Sequence, residues 1–105
     1  MIYLLNVDIE YNQLGDKLQE ILPNEWEQTE ALYESGRLIG IWRKANGKGV
    51  IAIWNMPDHD AVLDQIRKMP LYPYMSKIGL EPLVAHPKYP GFCESPVGSN
   101  PAKAS

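Results

Sequence analysis

A chain of 105 residues has room for one domain and one hydrophobic core. Its 45% hydrophobic and 22% charged content is ordinary for a globular protein, and no apolar run approaches the ~20 residues that span a bilayer. The net charge of −3 argues against a nucleic-acid partner, because phosphate binding needs a surplus of Lys and Arg on one face.

A single cysteine, Cys93, cannot close an intrachain disulfide, and with two histidines it makes a poor metal site. Met1–Val7 is apolar, but Asp8 and Glu10 follow at once, unlike a signal peptide. A cytoplasmic protein without metal or cofactor is the expectation. Charge is unevenly spread. Residues 1–34 hold eight carboxylates and one lysine, while 37–88 hold eight basic and four acidic residues, which reads first as one solvated acidic helix.

The run 2–9 alternates Tyr3, Leu5, Val7 and Ile9 with Asn6 and Asp8, the period of a strand. From Asn12 the period becomes helical. Leu14, Leu18, Ile21, Leu22, Trp26, Thr29, Leu32 and Tyr33 share one side, and Asp16, Glu20, Glu27, Glu30 and Glu34 the other. Pro23 predicts a kink or a split into two helices, and Gly36 a helix end. Two strands follow, at 37–44 and 49–55, joined through the hairpin signal Asn46–Gly47. Asp58 is placed to cap a second helix with Val62, Leu63, Ile66 and Met69 on its apolar face. Pro70 and Pro73 forbid its continuation, and 78–85 is the expected last strand, with Pro82 marking an edge or bulge.

The order is βα–ββ–αβ, the ferredoxin-like α+β arrangement with a four-stranded antiparallel sheet and both helices on one face. The domain is expected over 1–88, and 89–105 reads as a Pro/Gly/Ser-rich tail. Aliphatic residues occur on both strand parities, so the second sheet face is expected to be covered by another copy, giving at least a dimer.

Ser35–Gly36, Ile41–Trp42–Arg43, Trp54 before Met56–Pro57, the string Met69–Pro70–Leu71–Tyr72–Pro73–Tyr74–Met75 and His86–Pro87 together resemble the muconolactone Δ-isomerase family, from Met1 to about Pro87. The resemblance implies a dimeric αβ-barrel assembled into a ring-like decamer. It also implies a cofactor-free enzyme of aromatic-compound catabolism that shifts a double bond within a lactone or expels chloride from one.

Glu25 lies near the middle of the apolar helical stripe, flanked by Ile21, Thr29 and Leu32. A carboxylate there is either paired or desolvated, and desolvation raises its pKa toward that of a general base; alternatively the kink at Pro23 turns it to solvent. The resemblance carries the family's proposed catalytic glutamate onto this same position. The chain departs from the family at Leu22, where a lysine is expected, and at Gly47–Lys48–Gly49–Val50, where polar residues are expected. Either Lys48 takes over part of that role or the substrate is different and less anionic, which is the favoured choice.

Trp26, Trp42, Trp54, Tyr72 and Tyr74 are candidates to line an apolar pocket for a small apolar or lactone-like substrate, against the alternative that they are core. Asn6 and Asp8 either face the same cavity or form an exposed polar strand face. Arg43 has the geometry for a substrate carboxylate but is better read as pairing with the acidic helix. His59 reads as an exposed cap residue, and His86 as structural or interfacial. No Ser-His-Asp, Cys-His, phosphate-loop or zinc spacing appears. Three functions stay open: a proton-shifting isomerase or lyase using Glu25; a cofactor-independent monooxygenase or polyketide-type cyclase; and a non-catalytic oligomeric binding module.

Overall fold

The alternation at the start of the chain becomes a strand with the expected bounds. In the computed structural model, which describes residues 1–90, β1 runs Ile2–Ile9, with Tyr3, Leu5, Val7 and Ile9 buried and Asn6 exposed. The remaining elements are a short α1 (Tyr11–Leu14), a tight helical turn at Gly15–Lys17, α2 (Leu18–Glu34), β2 (Leu38–Arg43), β3 (Gly49–Asn55), α3 (His59–Arg67) and β4 (Met75–Leu83). Cys93 and nearly all of the Pro-rich tail lie outside the described residues.

The four strands form one antiparallel sheet in the order β2-β3-β1-β4. Its inner face meets α2 and α3 in a core containing Tyr3, Leu5, Val7, Trp54, Leu32 and Ile66. Burying a Val or Leu side chain of this kind contributes about 1.5–3 kcal/mol. Val7 and Val62 are fully buried, so this layer holds the helices to the sheet. The opposite face carries Leu4 beside Ile53 and Asn6 beside Ile51 in the β1–β3 register, with no helix over it among the described residues.

Helix breaking falls earlier than Pro23 predicts. The interruption is at Gly15, whose φ of +52° suits glycine, whereas α2 runs through Pro23. Proline there removes the donor to the Gln19 carbonyl. Both residues are exposed, so water can take over that carbonyl, and the helix continues. Asp58 caps α3 as expected, its Oδ1 accepting from Ala61 N–H at 2.8 Å. Gly36 ends α2 with φ +83°, and Gly47 turns the β2–β3 hairpin at φ +74°.

The last strand is displaced from 78–85. It starts at Met75, directly after the proline turn, and pairs Met75 with Ile9 across a register shift. It stops at Leu83 because Leu83 faces Ile2, where β1 itself begins. Val84 has no strand beside it and is 83% exposed. Pro82 lies on this edge strand, opposite Tyr3, where a missing N–H disrupts no further ladder. No helix among the described residues is long and apolar enough to cross a membrane.

Candidate active site

The stripe that carries α2 onto the sheet also brings Glu25 inward. Leu32, one face-repeat further on, is buried, and Ile21 and Leu22 are half-buried. Glu25 is half-buried as well, and its Oε1 accepts from the Leu71 backbone N–H at 3.1 Å. Leu71 is buried at the centre of the proline turn. That turn is held by Tyr72 N–H to Met69 O at 3.0 Å and Tyr74 N–H to Leu71 O at 2.9 Å. The aromatic–proline string therefore does more than end α3. It presents a backbone donor that fixes one oxygen of the helix carboxylate.

Burial raises the Glu25 pKa above the ordinary carboxylate value, and the Leu71 N–H opposes this by favouring the charged form. No charged side chain figures among the causes. Burial thus moves this carboxylate in the direction that suits a general base or acid.

Beside it opens a cavity of about 580 Å³ between α2, the hairpin strands and the proline turn, within the size range of small-molecule sites. Its wall is largely apolar, with Leu18, Leu22, Ile41, Val50 and Met75. Glu25 and Arg43 are the charged residues among those lining it, and Tyr11 and Thr29 add hydroxyls. Arg43 makes no ion pair among the described residues; the described pairs are Lys44–Asp8 and Arg67–Asp64. The expected pairing of Arg43 with the acidic helix is thus absent from the described contacts. Its register partner Val50 lies on the inner face, so strand alternation sends Arg43 to the cavity instead.

The candidates are spread over several places. Glu25 and Trp26 line the cavity, Trp26 at the rim with 56% exposure. Trp42 also borders it, but it pairs with Ile51, between the inward Ile41 and Arg43. Alternation then carries its indole toward the open sheet face. Trp54 is buried in the core, in a separate interior chamber that Glu25 also lines. Its Nε1–H has no hydrogen-bond partner among the described residues, a condition that costs a buried donor about 1–3 kcal/mol.

Tyr72 faces a groove with His59, Leu63 and Leu80, away from Glu25. Tyr74 packs on the core, and its carbonyl accepts from Glu10 N–H at 2.8 Å. The tyrosines of the turn thus brace it, and the backbone N–H of Leu71, just before them, reaches the carboxylate. Asn6 lies on the open face in a groove over Gly79. Lys48 stands in a polar cleft with Asp8 and Glu10, which adjoins the main cavity through Ile9, Tyr11 and Gly47. Tyr11 went unnoticed in the sequence. It continues the inward parity of Tyr3, Leu5, Val7 and Ile9 by one step, which was the available signal. Among the described residues no three His, Cys, Asp or Glu side chains gather as a metal site.

The muconolactone delta-isomerase family model matches residues 1–89. The chain belongs to the muconolactone delta-isomerase family. A solved muconolactone isomerase is similar in structure, with a TM-score of 0.72 and 24% identity over 83% of this chain and 92% of that one. The 5-chloro-2-hydroxyhydroquinone dehydrochlorinase of Burkholderia phenoliruptrix AC1100, solved with 2,5-dihydroxybenzoquinone, gives 0.65 and 10% identity over 82% and 96%. At these identities the likeness speaks for the fold, which an isomerase and a dehydrochlorinase share. No curated protein sequence matches the chain.

Proposed function

We propose that this family member is a cofactor-free isomerase or lyase that moves a proton within an unsaturated lactone or enone, with Glu25 as the base. The observation that carries this reading is the half-buried carboxylate on a largely apolar cavity, one oxygen pinned by Leu71 N–H. The fixed oxygen sets the orientation of the carboxyl group, leaving the other lone pairs to meet a substrate C–H.

In the reaction Glu25 removes a proton α or γ to the substrate carbonyl, and the electron pair delocalises into a dienolate. The same carboxyl group returns the proton at the other end of the conjugated system. If a leaving group such as chloride stands on the carbon next to that end, the pair forms a new double bond to it as the C–Cl bond breaks. Chloride departs, Glu25 keeps the proton until solvent takes it, and the outcome is elimination. Leu22 occupies the wall where the family resemblance leads one to expect a lysine, so the favoured substrate is small, apolar and less anionic than a lactone bearing a free acid. Trp26 at the rim supplies an apolar lip. A non-catalytic module has no need of a cavity of about 580 Å³ beside an inward carboxylate.

The open sheet face belongs to the same proposal. Leu4 and Ile53 lie side by side there, Trp42 is 46% exposed and Leu83 38%. A second copy packed sheet to sheet would remove this apolar surface from water.

The test is solvent-deuterium incorporation into an unsaturated butenolide, followed by proton NMR, with the wild type and Glu25→Gln. General-base catalysis is worth roughly 10²–10⁴-fold, so Glu25→Gln should lose that much in kcat while the fold is kept. The acid limb of the wild-type profile should lie above the ordinary carboxylate range. Undiminished exchange in the variant would sink the assignment. Oxygen uptake or ring closure surviving Glu25→Gln would favour the monooxygenase or cyclase reading.

A further inference from the structure

Behind the main cavity lies the interior chamber, about 40 Å³ in volume. The two share Glu25, Thr29, Ile41, Val50 and Met75 as walls. Most of the chamber's lining is aliphatic or thioether. Glu25, Thr29 and Trp54 are its residues with N–H, O–H or carboxyl groups. The chamber is too small for a lactone, whereas a water needs only about 10–15 Å³ of such free space and two to four polar partners.

Three partners are present. Trp54, 4% exposed, has an Nε1–H with no partner among the described residues, and indole nitrogen can only donate. Thr29 spends its proton on the Glu25 carbonyl oxygen at 2.8 Å, so its hydroxyl oxygen is left as an acceptor. Glu25 has Oε1 on Leu71 N–H and retains acceptor capacity on Oε2. The residues that carry this one donor and these two acceptors line the same small volume. That is the complement of a water molecule, which accepts once and donates twice.

We propose that this chamber is a water site linking Trp54 Nε1–H to the Glu25 carboxyl group, with Thr29 as the third partner, and that Trp54 is a positioning residue for Glu25. The water accepts from Trp54 and donates to Glu25 and to Thr29 Oγ1. Glu25 is then held from both sides, by Leu71 N–H at the turn and by the water at the sheet. Its carboxylate form is supported by a donor that is itself supported, and the buried indole donor is satisfied. The other titratable groups on the cavity wall are Tyr11 from α1 and Arg43 from β2; the chamber wall brings none besides Glu25.

The proposal extends the Glu25 assignment, but its test needs no substrate, so the two fail separately. Indole ¹⁵N–¹H spectra of the full chain give one signal for each of Trp26, Trp42 and Trp54, assigned by Trp26→Phe and Trp42→Phe at the two exposed positions. The Trp54 signal is expected to exchange slowly, to show a cross-relaxation peak to water, and to shift with pH at the midpoint of the Glu25 carboxyl carbon. Glu25→Gln should abolish that shift while the signal persists. In Trp54→Phe the Glu25 midpoint should move upward. A Trp54 signal that ignores pH while Glu25 titrates overturns the link. So does the absence of any water cross-peak. Both readings use the wild type and stand even if Trp54→Phe fails to fold.

Discussion

Two carboxylates on opposite faces of the same sheet show how placement decides chemistry. Asp8 is on the open face, with Lys44 Nζ at 2.6 Å from Oδ1, and this hydrogen bond holds its pKa below the ordinary value. Glu25 is on the helix-covered face, where burial without a cationic partner raises its pKa. One carboxylate is favoured as an ion by its neighbour, and the other is moved by burial toward its neutral form. A group that must take and return a proton belongs in the second setting. The acidic surplus of residues 1–34 hides this distinction, because it counts both alike.

The frame that separates the two faces depends on Gly49, which pairs with Asp8. A β-carbon built there runs into the carbonyl oxygen of Val7, with the Asp8 backbone also close. Gly49→Ala should therefore part β1 from β3 at the centre of the sheet and cost more than about 3 kcal/mol. Urea denaturation measures the loss, and a variant of wild-type stability would mean that the strand can shift aside. Gly79 makes the contrast, since its β-carbon would lie 3.7 Å from Asn6 O in ordinary contact, and Gly79→Ala should leave the monomer's stability nearly unchanged.

The open face itself is tested by Ile53→Lys. A lysine beside Leu4 stays solvated on a monomer but is buried at a sheet-to-sheet dimer, where an unpaired charge is strongly unfavourable. Sedimentation should show the wild type as a dimer or larger and the variant as a monomer with unchanged circular dichroism. A wild-type monomer at micromolar concentration would remove the partner from the proposal.

Strand parity and capping were readable because they are local. Tyr3 to Ile9 alternate on a pleat, and Asp58 needs only its own helix start to act as a cap. The position of Glu25 was readable for a similar reason, through the 3.6-residue period. What remained hidden depended on distant partners. Arg43 was read as a surface pair because its route to the cavity follows from a register with Val50. Tyr72 and Tyr74 were read as pointing at the ligand, whereas the turn uses its backbone N–H for that carboxylate. Pro23 was overrated as a breaker because the exposure of the carbonyl it leaves unpaired is a property of the packed fold.

The raised pKa of Glu25 makes a signed prediction for stability. Between the ordinary carboxylate value near 4.5 and the higher folded value, the folded state binds more protons than the unfolded one. Stability then falls as pH rises through that window. Glu25→Gln keeps an acceptor for Leu71 N–H but does not titrate. Its thermal midpoint should match or exceed that of the wild type at neutral pH, and the difference should vanish below the window. A variant less stable than wild type at pH 7 would indicate that the charged form is held by a partner the burial argument omits.

The smallest effect belongs to the open face and has the opposite sign. Asp8 is depressed from its ordinary 3.8 by Lys44, with the charges of Lys77 and Lys48 adding to this. A depressed carboxylate favours the fold above its unfolded pKa, and this support is lost as pH falls through the folded value. Lys44→Gln removes the principal cause, so the Asp8 carboxyl carbon should titrate at higher pH in the variant. Exposed pairs contribute little to stability and are screened by salt, so denaturation midpoints at neutral pH should barely move. The Glu25 midpoint should not move at all, because the sheet stands between the two groups and no charged side chain contributes to its shift. A shift of both carboxylates in Lys44→Gln would show that the faces communicate electrostatically, and the division of labour between them would have to be redrawn.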